Sequence, residues 1–358
     1  MQSFFTPGRV NIIGEHIDYC GGYVLPCTLE MGTTATLQPR NDGKARFTSE
    51  NFPDLAVEIG LDNVQFDPAH DWANYPKGIV RLMQDDGHHI PGFNLHFSGN
   101  IPNGAGLSSS ASIEVVTATA LNTWFNLKYD KQALVLLAQR AENNFCGVNC
   151  GIMDQFAVGM GKPNHAIYLN CGTLEHKHVP MNLHEYKLIV MNTNKRRALN
   201  ESKYNERRAE CEEALRLLNA DATPPWQHLA DLTPDDLQRR ASRLPETLHK
   251  RARHVIHENH RVKQAVEALE AGDVPTLGAL LNASHASLRN DYEVTGKELD
   301  AIVLAAQKHP ACAGARMTGA GFGGCAIALV KAGEVEAFTE AVGVEYQQVV
   351  GYEAAFYN

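Results

Sequence analysis

The chain has 358 residues, of which 44% are hydrophobic and 20% charged, values typical of a folded soluble protein with roughly two to three domains. The same values argue against a disordered chain or a coiled coil. The chain has 32 lysines and arginines but 41 aspartates and glutamates, so the formal net charge is −9. This negative charge argues against nucleic acid and anionic membranes as partners.

Apolar patterning predicts a strand-rich first half and a helix-rich second half. Alternating or short apolar runs predict strands at 9–13, 23–27, 33–37, 93–97, 186–191, 325–330 and 348–357. Apolar side chains spaced three to four apart predict helices at 109–127, 131–146, 201–218, 254–270, 275–288 and 296–307. Strands and helices mix without strict alternation, and the composition shifts near residue 185. We therefore predict an α+β fold with domains 1–185 and 186–358.

The cysteines and the apolar runs bear on the cellular compartment. The eight cysteines include no Cys-x-x-Cys pair, so we expect reduced thiols rather than disulfides or zinc ligands. No apolar run approaches the roughly 20 residues of a membrane helix, and the first residues lack a signal-peptide pattern. We expect a cytoplasmic protein.

The segment Pro7–Pro26 concentrates hydrogen-bonding side chains, namely Arg9, Glu15, His16 and Asp18. Each hydroxyl of a sugar can donate to a carboxylate and accept from a guanidinium or an imidazole, so the segment suits a polyhydroxylated ligand. A charged turn between two strands would account for the same residues. A metal site is not supported, because no HExxH or comparable ligand spacing is present.

The segment Pro102–Ser112, PNGAGLSSSAS, is a glycine-rich turn that leads into the helix predicted from Ser109. Free backbone N–H groups and the positive end of the helix dipole favour phosphate there. The segment is not a Walker A loop, because GxxxxGK[ST] occurs nowhere in the chain. A serine N-cap after an ordinary turn is the alternative.

The segment Thr318–Gly324, TGAGFGG, matches GxGxxG by spacing. A dinucleotide site needs a helix after the glycines, whereas the apolar run CAIALV predicts a strand. A loop that closes over phosphates, or a tight turn before a strand, fits better.

Elsewhere, Glu142 and Asp154 lie among apolar or small residues and could serve as a metal ligand or a base. Tyr204 lies at one end of a helix face that is predicted to face the core, and a half-buried tyrosine without a function is the alternative.

Together these motifs resemble those of the GHMP small-molecule kinases. GRVNIIGEHIDY, GLSSSAS and MTGAGFGGC are similar to the three motifs of the galactose-phosphorylating branch, and WANYPKG, CGIMDQ and ESKYNERR fall in the family's order. The resemblance covers almost the whole chain. It implies a two-domain GHMP kinase fold, with an N-terminal domain similar to ribosomal S5 domain 2, a C-terminal ferredoxin-like domain and an active site in the cleft between them.

The resemblance also implies roles for individual residues. Asp154 resembles the family's catalytic acid and Arg9 its partner, whereas Ser110 and Glu142 resemble its Mg²⁺ ligands. Ile17 and Cys20 replace a commoner threonine and asparagine, and we predict that they tune sugar selectivity. The implied sugar-binding residues are Glu15, His16, Ile17, Asp18 and Tyr204. The implied ATP-binding residues are Gly104, Ala105, Gly106, Leu107, Ser108, Ser109 and Ser110, with Trp72 and Tyr75 flanking the adenine.

The activity implied by the resemblance is ATP-dependent phosphorylation of the anomeric hydroxyl of α-D-galactose, by a monomer that uses Mg²⁺. Two alternatives stay open. A sibling sugar-1-kinase would act on N-acetylgalactosamine or arabinose, because one altered pocket position can admit a different substituent. A regulator would bind galactose and ATP without turnover, although the intact GLSSSAS loop and the presence of Arg9 and Asp154 argue against it.

Overall fold

The computed structural model describes residues 1–195 and 200–358, with side chains described over 1–195 and 203–358. The strands are β1 (Gln2–Asn11), β2 (Tyr23–Val24), β3 (Pro26–Pro39), β4 (Lys44–Ser49), β5 (Val57–Gly60), β6 (Phe93–Gly99), β7 (His165–Asn170), β8 (His176–Pro180), β9 (Tyr186–Asn192), β10 (Cys312–Thr318), β11 (Cys325–Lys331) and β12 (Ala355–Tyr357). The helices are α1 (Asn74–Asp85), α2 (Ser109–Phe125), α3 (Lys131–Asn144), α4 (Met153–Met160), α5 (Asn200–Leu218), α6 (Pro234–Arg240), α7 (Glu246–Ala271), α8 (Val274–Ser287), α9 (Gly296–Lys308) and α10 (Val335–Val350).

Contacts between Cα atoms divide the chain into two compact units. The first unit comprises Met1–Arg9, Thr28–Asn103 and Leu107–Gly161, and the second comprises Val10–Cys27, Gly104–Gly106 and Lys162–Asn358. The division differs from the boundary predicted near residue 185, because an early segment of the chain packs with the second unit. Spatial contacts define these units, whereas the sequence shows only where composition changes.

In the first unit, β3 pairs with β1 and with β6, and β6 pairs in parallel with β4, which pairs with β5. Along β6, Phe93, Leu95 and Phe97 are buried while the residues between them are more exposed, as the two-residue period of a strand requires. Helices α1, α2 and α3 pack against one another and share with the sheet one cluster of buried apolar side chains.

In the second unit, a four-stranded antiparallel sheet has the order β10-β11-β9-β12, and β7 pairs with β2 and β8. Helix α8 packs on β10 at a point where the helix and the strand each carry a glycine. A Cβ atom on Gly278 of α8 would lie 2.2 Å from the carbonyl oxygen of Ala313, and one on Gly314 would lie 2.1 Å from the carbonyl oxygen of Gly278. The helix and the strand therefore approach as closely as their backbones permit.

The glycine-rich loop after Thr318 joins β10 to β11, its antiparallel neighbour. Positive φ angles at Gly319, Gly321, Gly323 and Gly324 allow this tight path. Because a strand follows the loop, the prediction that its GxGxxG spacing is not a dinucleotide fingerprint is confirmed.

Every predicted helix and strand overlaps an element of the same type, although β1, β3 and α7 begin seven or eight residues before the predicted positions, and the last predicted strand is mostly wrong. Helix α10 occupies the first residues of 348–357 and is followed by Gly351, whose φ is 99°, so that the strand is reduced to β12.

Over residues 1–195 and 200–358, no helix combines the length and the apolar character that crossing a bilayer requires.

Candidate active site

Arg9 and Asp154 form a bidentate ion pair in the first unit. Arg9 ends the part of β1 that belongs to this unit, and Asp154 lies in the first turn of α4, where a helix N-terminus favours a carboxylate. Nε and Nη2 of Arg9 donate hydrogen bonds of 2.9 and 2.7 Å to Oδ1 and Oδ2 of Asp154. The guanidinium side chain is only 4% exposed but the carboxylate is 30% exposed. The two side chains that the resemblance pairs are thus in direct contact, and the carboxylate keeps one face exposed.

Ser108 adds a third donor that the sequence analysis did not assign to Asp154. Its hydroxyl donates a 2.7 Å hydrogen bond to Oδ2 of Asp154. Ser108 precedes α2 and has left-handed torsion angles, φ 62° and ψ 46°, which are uncommon for residues other than glycine. This conformation accompanies the contact with α4, so the phosphate-loop segment and the predicted catalytic acid are directly joined.

The glycine-serine segment turns sharply before α2. Gly104 and Gly106 have φ angles of 71° and 76°, and a Cβ atom on Gly104 would meet nothing within 4 Å. Ala105 and Leu107 are buried and anchor the turn, whereas Ser109 is exposed at the first residue of α2. The N-terminal N–H groups of a helix have no partner within the helix, so the start of α2 can bind an anion.

Ser110 and Glu142, the predicted Mg²⁺ ligands, lie close together, and the Ser110 hydroxyl favours the ionised form of the Glu142 carboxylate. Burial, together with the negative charge of Asp154, raises the pKa of Glu142 to about 7. The Gln155 amide donates both to Oε2 of Glu142 and, at 3.2 Å, to Oε2 of Glu114. Glu114 is fully buried, and burial raises its pKa well above the ordinary value. Neither Glu114 nor Gln155 was identified from the sequence.

The oxygen atoms of Ser110 and Glu142 are of the type that Mg²⁺ prefers, and the two side chains lie close enough to serve one ion. A buried carboxylate next to another acid is also short of positive charge, which a divalent cation would supply. Among the described residues, no group of three or more histidine, cysteine or acidic side chains could hold a metal by itself. The residues therefore fit an ion that takes its other ligands from phosphate and water.

The aromatic residues predicted to flank adenine lie at the start of α1. Trp72 is 7% exposed, stacks on Phe52 at 6.2 Å and meets Phe97 edge-on at 5.7 Å between ring centroids. Its indole Nε1 is buried without a hydrogen-bond partner among the described residues. Tyr75 is half-buried. Most of the Trp72 ring belongs to the core, so its contact with adenine stays a prediction.

In the second unit, Glu15 is buried and held through one of its oxygens. Its Oε1 accepts hydrogen bonds of 2.9 Å from Oγ1 of Thr318 and 2.7 Å from the N–H of Gly319. The guanidinium of Arg316, itself fully buried, lies 3.5 Å from the same oxygen. No hydrogen bond to Oε2 is found in the described part of the chain.

His16 has a left-handed backbone, with φ 63°, and both ring nitrogens have protein partners. Nε2 lies 3.2 Å from the carbonyl oxygen of Ala320, which can only accept, so Nε2 carries the proton. Nδ1 therefore accepts from the hydroxyl of Tyr19 at 2.8 Å. Burial lowers the pKa of His16 to about 3, so the ring is neutral near pH 7.

The other predicted sugar-binding residues differ in exposure. Ile17 is fully buried, and its carbonyl oxygen accepts from the N–H groups of Cys20 and Gly22. Asp18 is half-exposed and begins a short 3₁₀ turn. The half-exposed ring of Tyr204 lies 5.6 Å from that of His16, between centroids. The structure thus gathers Tyr204 and the segment around His16, although they are far apart in the sequence.

Three family models match the chain. They are the GHMP kinases N terminal domain over residues 74–162, the galactokinase galactose-binding signature over residues 2–39, and the GHMP kinases C terminal model over residues 265–347. The chain is 49% identical to the galactokinase of Clostridium tetani, covering 100% of this chain and 91% of that protein. It is 48% identical to the galactokinase of Bacillus subtilis, covering 100% of this chain and 92% of that protein.

The chain belongs to the galactokinase family of GHMP kinases. Its structure matches that of Lactococcus lactis galactokinase complexed with galactose, with a TM-score of 0.97 and 49% identity over 99% of this chain and 92% of the other. Methanococcus jannaschii mevalonate kinase shares the fold at 17% identity and a TM-score of 0.71, over 100% of this chain and 97% of that chain. The predicted family and fold class are confirmed.

The matched ranges cover most of the predicted site of this galactokinase-family chain. The galactose-binding signature includes Arg9 and the segment from Glu15 to Asp18. The N-terminal model includes the glycine-serine segment, Glu142 and Asp154. Tyr204 lies outside all three ranges, so its assignment depends on its position beside His16.

Proposed function

We propose that the chain transfers the γ-phosphoryl group of ATP to the anomeric hydroxyl of α-D-galactose, giving galactose 1-phosphate and ADP. One observation carries the proposal: a buried guanidinium, Arg9, holds the carboxylate of Asp154 from one side while the carboxylate stays partly exposed. Two charge-assisted hydrogen bonds fix the orientation of the carboxylate. An ionised, oriented carboxylate can accept a hydrogen bond, and then the proton, from a substrate hydroxyl.

The phosphates of ATP are assigned to the glycine-serine segment and the start of α2. The positive φ angles at Gly104, Gly106 and Ser108 turn the backbone so that small residues precede the N–H groups of the helix. These groups attract anions without needing a lysine. Ser109, exposed at the first helical position, supplies a further donor. Trp72 and Tyr75 remain the residues proposed to flank the adenine.

Mg²⁺ is assigned to Ser110 and Glu142. When bound, it neutralises charge on the β- and γ-phosphates of ATP. Ser110 contributes a hydroxyl oxygen and Glu142 a carboxylate oxygen, while Gln155 orients the carboxylate through its amide. The raised pKa of Glu142 supports this assignment, because a nearby cation stabilises the ionised form that binds it.

Galactose is assigned to Glu15, His16, Ile17, Asp18 and Tyr204. Because the contacts of Glu15 with Thr318 and Gly319 use Oε1, we assign Oε2 to a sugar hydroxyl. His16 uses both ring nitrogens within the protein, so we assign it the role of holding the segment in shape. Ile17 fills the interior of the segment and limits its possible shapes.

Phosphoryl transfer passes through a loose transition state, so positioning and electrostatics supply most of the catalysis. Asp154 orients the anomeric hydroxyl for in-line attack and takes its proton. Arg9 stabilises the carboxylate and offsets the negative charge that develops nearby. Ser108 restricts the rotation of the carboxylate through its own hydrogen bond.

The proposal is tested by measuring ADP release with galactose, N-acetylgalactosamine, arabinose and glucose. Galactose should give the highest kcat/KM, with turnover near the roughly 1–100 s⁻¹ of kinases. Faster turnover of N-acetylgalactosamine or arabinose would assign the chain to a sibling sugar-1-kinase. Binding of galactose and ATP without turnover would assign it to a regulator.

The role of Asp154 is tested by the Asp154→Asn variant in single-turnover experiments. The asparagine keeps the side-chain shape but cannot accept the proton, so we expect the rate to fall by about 10²- to 10⁴-fold. A loss under about tenfold would remove Asp154 from the chemistry.

We further propose that the enzyme acts as a monomer in the cytoplasm. The eight cysteines, all of them among the described residues, form no disulfide with one another, as is typical of a reducing compartment. Sedimentation analysis of the purified chain tests whether it is a monomer in solution.

A further inference from the structure

Two buried side chains of α7, one helical turn apart, bind the main chain of the segment that carries Glu15. Nε2 of His254 lies 3.0 Å from the carbonyl oxygen of Glu15. Oε1 of Glu258 accepts a 3.0 Å hydrogen bond from the N–H of Gly14. Both α7 side chains are fully buried, and all four residues lie in the second unit.

The protonation of His254 follows from its partners. A carbonyl oxygen can only accept, so Nε2 carries the proton and donates to Glu15. Burial lowers the pKa of His254 to about 4, so the ring is neutral near pH 7, and its Nδ1 lies 3.0 Å from Oγ of Ser287. The ring is therefore fixed on both sides.

Glu258 is fixed in the same way. Its Oε1 also accepts a 2.6 Å hydrogen bond from Oγ of Ser284, and its Oε2 accepts one of 2.6 Å from Nε of Arg261. The charges of Arg261 and Arg316, with these hydrogen bonds, lower the pKa of Glu258 to about 2 despite its burial. The acceptor for the N–H of Gly14 is thus a rigid, ionised carboxylate.

The backbone at Gly14 could not hold this shape with an ordinary side chain. Its φ angle is 105°, and a Cβ atom would lie 2.8 Å from the carbonyl oxygen of Tyr23. The next residue, Glu15, has its carboxylate held at Oε1 by the loop after β10. The main chain and the carboxylate of Glu15 are therefore fixed by different elements.

We propose that His254 and Glu258 are positioning residues for sugar binding, because they fix the main chain at Gly14 and Glu15 and so set the direction of the Glu15 carboxylate. This inference rests on the proposed function. Binding groups must be held to within about 0.5 Å to be effective, which flexible segments do not achieve without such support. The function of α7 is then to hold the sugar-binding segment without touching the sugar.

The test compares two variants of similar size and polarity at one position. In His254→Asn the side-chain amide takes the position of the ring atom Nδ1, so it can reach Ser287 but not Glu15. In His254→Gln the amide extends to the Nε2 side and can donate to the Glu15 carbonyl. We expect His254→Asn to raise KM for galactose about tenfold with KM for ATP unchanged, because one positioning hydrogen bond is lost. His254→Gln should restore the KM for galactose.

A second measurement follows the segment itself, without sugar. Hydrogen exchange of backbone amides in residues 11–23 should accelerate in His254→Asn and return toward the wild-type rate in His254→Gln. Both variants are compared where circular dichroism shows them to be fully folded.

Two results would overturn the inference. One is an unchanged KM for galactose in His254→Asn, and the other is an equal loss of all kinetic constants in both variants. If the wild-type chain phosphorylates no sugar, the proposed function fails, and the exchange experiment alone decides whether His254 positions the segment. Equal exchange in wild type and His254→Asn would then refute the positioning role.

Discussion

Ser108 donates a 2.7 Å hydrogen bond to Oδ2 of Asp154, the oxygen that also accepts from Nη2 of Arg9. Asp154 thus has three charge-assisted donors, two from a buried guanidinium and one from the residue that precedes α2. Such bonds are stronger than those between neutral groups, and together they leave the carboxylate little freedom to rotate. The segment assigned to ATP therefore also orients the residue assigned to proton transfer.

The variant Ser108→Ala should lower kcat with little effect on KM for galactose. A hydrogen bond to a charged group is worth about 1.5–3 kcal/mol, so we expect a decrease of about ten- to a hundredfold. Steady-state kinetics provide the measurement. The control is Ser242→Ala, which alters an exposed serine outside the predicted site. Equal effects of the two substitutions would show that the hydrogen bond to Asp154 contributes nothing specific.

The variant Glu142→Gln should raise the Mg²⁺ concentration needed for half-maximal rate. The amide keeps the side-chain volume but offers no charge, and even indirect support of a metal ligand is typically worth about 10–100-fold in affinity. The measurement is the initial rate across a Mg²⁺ titration at saturating ATP. Glu246→Gln, at an exposed glutamate of α7, is the control. A lowered kcat with an unchanged Mg²⁺ dependence would argue against Glu142 as a ligand.

Local patterns predicted a large part of the fold. The bounds of α2 and α9 follow from apolar spacing, because this signal depends on near neighbours. Helix α4 has only eight residues, too few to establish a period, and it was missed. The prediction of the last strand is wrong because the apolar residues at the end of α10 form a short run that is compatible with either a helix or a strand.

The candidate site was predicted in part, through the resemblance of its motifs to a known family. Arg9 and Asp154 were paired correctly although 145 positions separate them. The contacts of Glu258 with Gly14 and of Thr318 with Glu15 join residues 244 and 303 positions apart. No local pattern records such contacts, since each depends on how distant elements pack.

The variant Gly278→Ala should destabilise the second unit. Its new Cβ would lie 2.2 Å from the carbonyl oxygen of Ala313, so α8 and β10 must move apart. Overpacking of this kind costs about 1–3 kcal/mol in the free energy of unfolding. Urea unfolding gives the measurement. Gly333→Ala is the matched control, because a Cβ there would meet nothing within 4 Å. Equal midpoints for the two variants would contradict the close approach of helix and strand.

Burial of His254 predicts that acid weakens the fold. Its pKa is about 4 in the folded chain and about 6.5 when unfolded. Below pH 6.5 the His254 ring therefore binds a proton in the unfolded chain but stays neutral in the folded chain. The contribution of His254 to stability is complete above pH 6.5 and is lost progressively as the pH falls toward 4. Between pH 7.5 and 5 this loss is about 2 kcal/mol.

His254→Gln removes the titrating ring, so the variant should lose less free energy of unfolding than the wild type between these two pH values. Urea unfolding at pH 7.5 and pH 5 measures the difference. His260→Gln, at an exposed histidine on the same helix, is the matched control and should retain the wild-type pH dependence, because it leaves the His254 ring in place. If His254→Gln weakens in acid as much as the wild type does, the neutral, buried state of His254 is disproved.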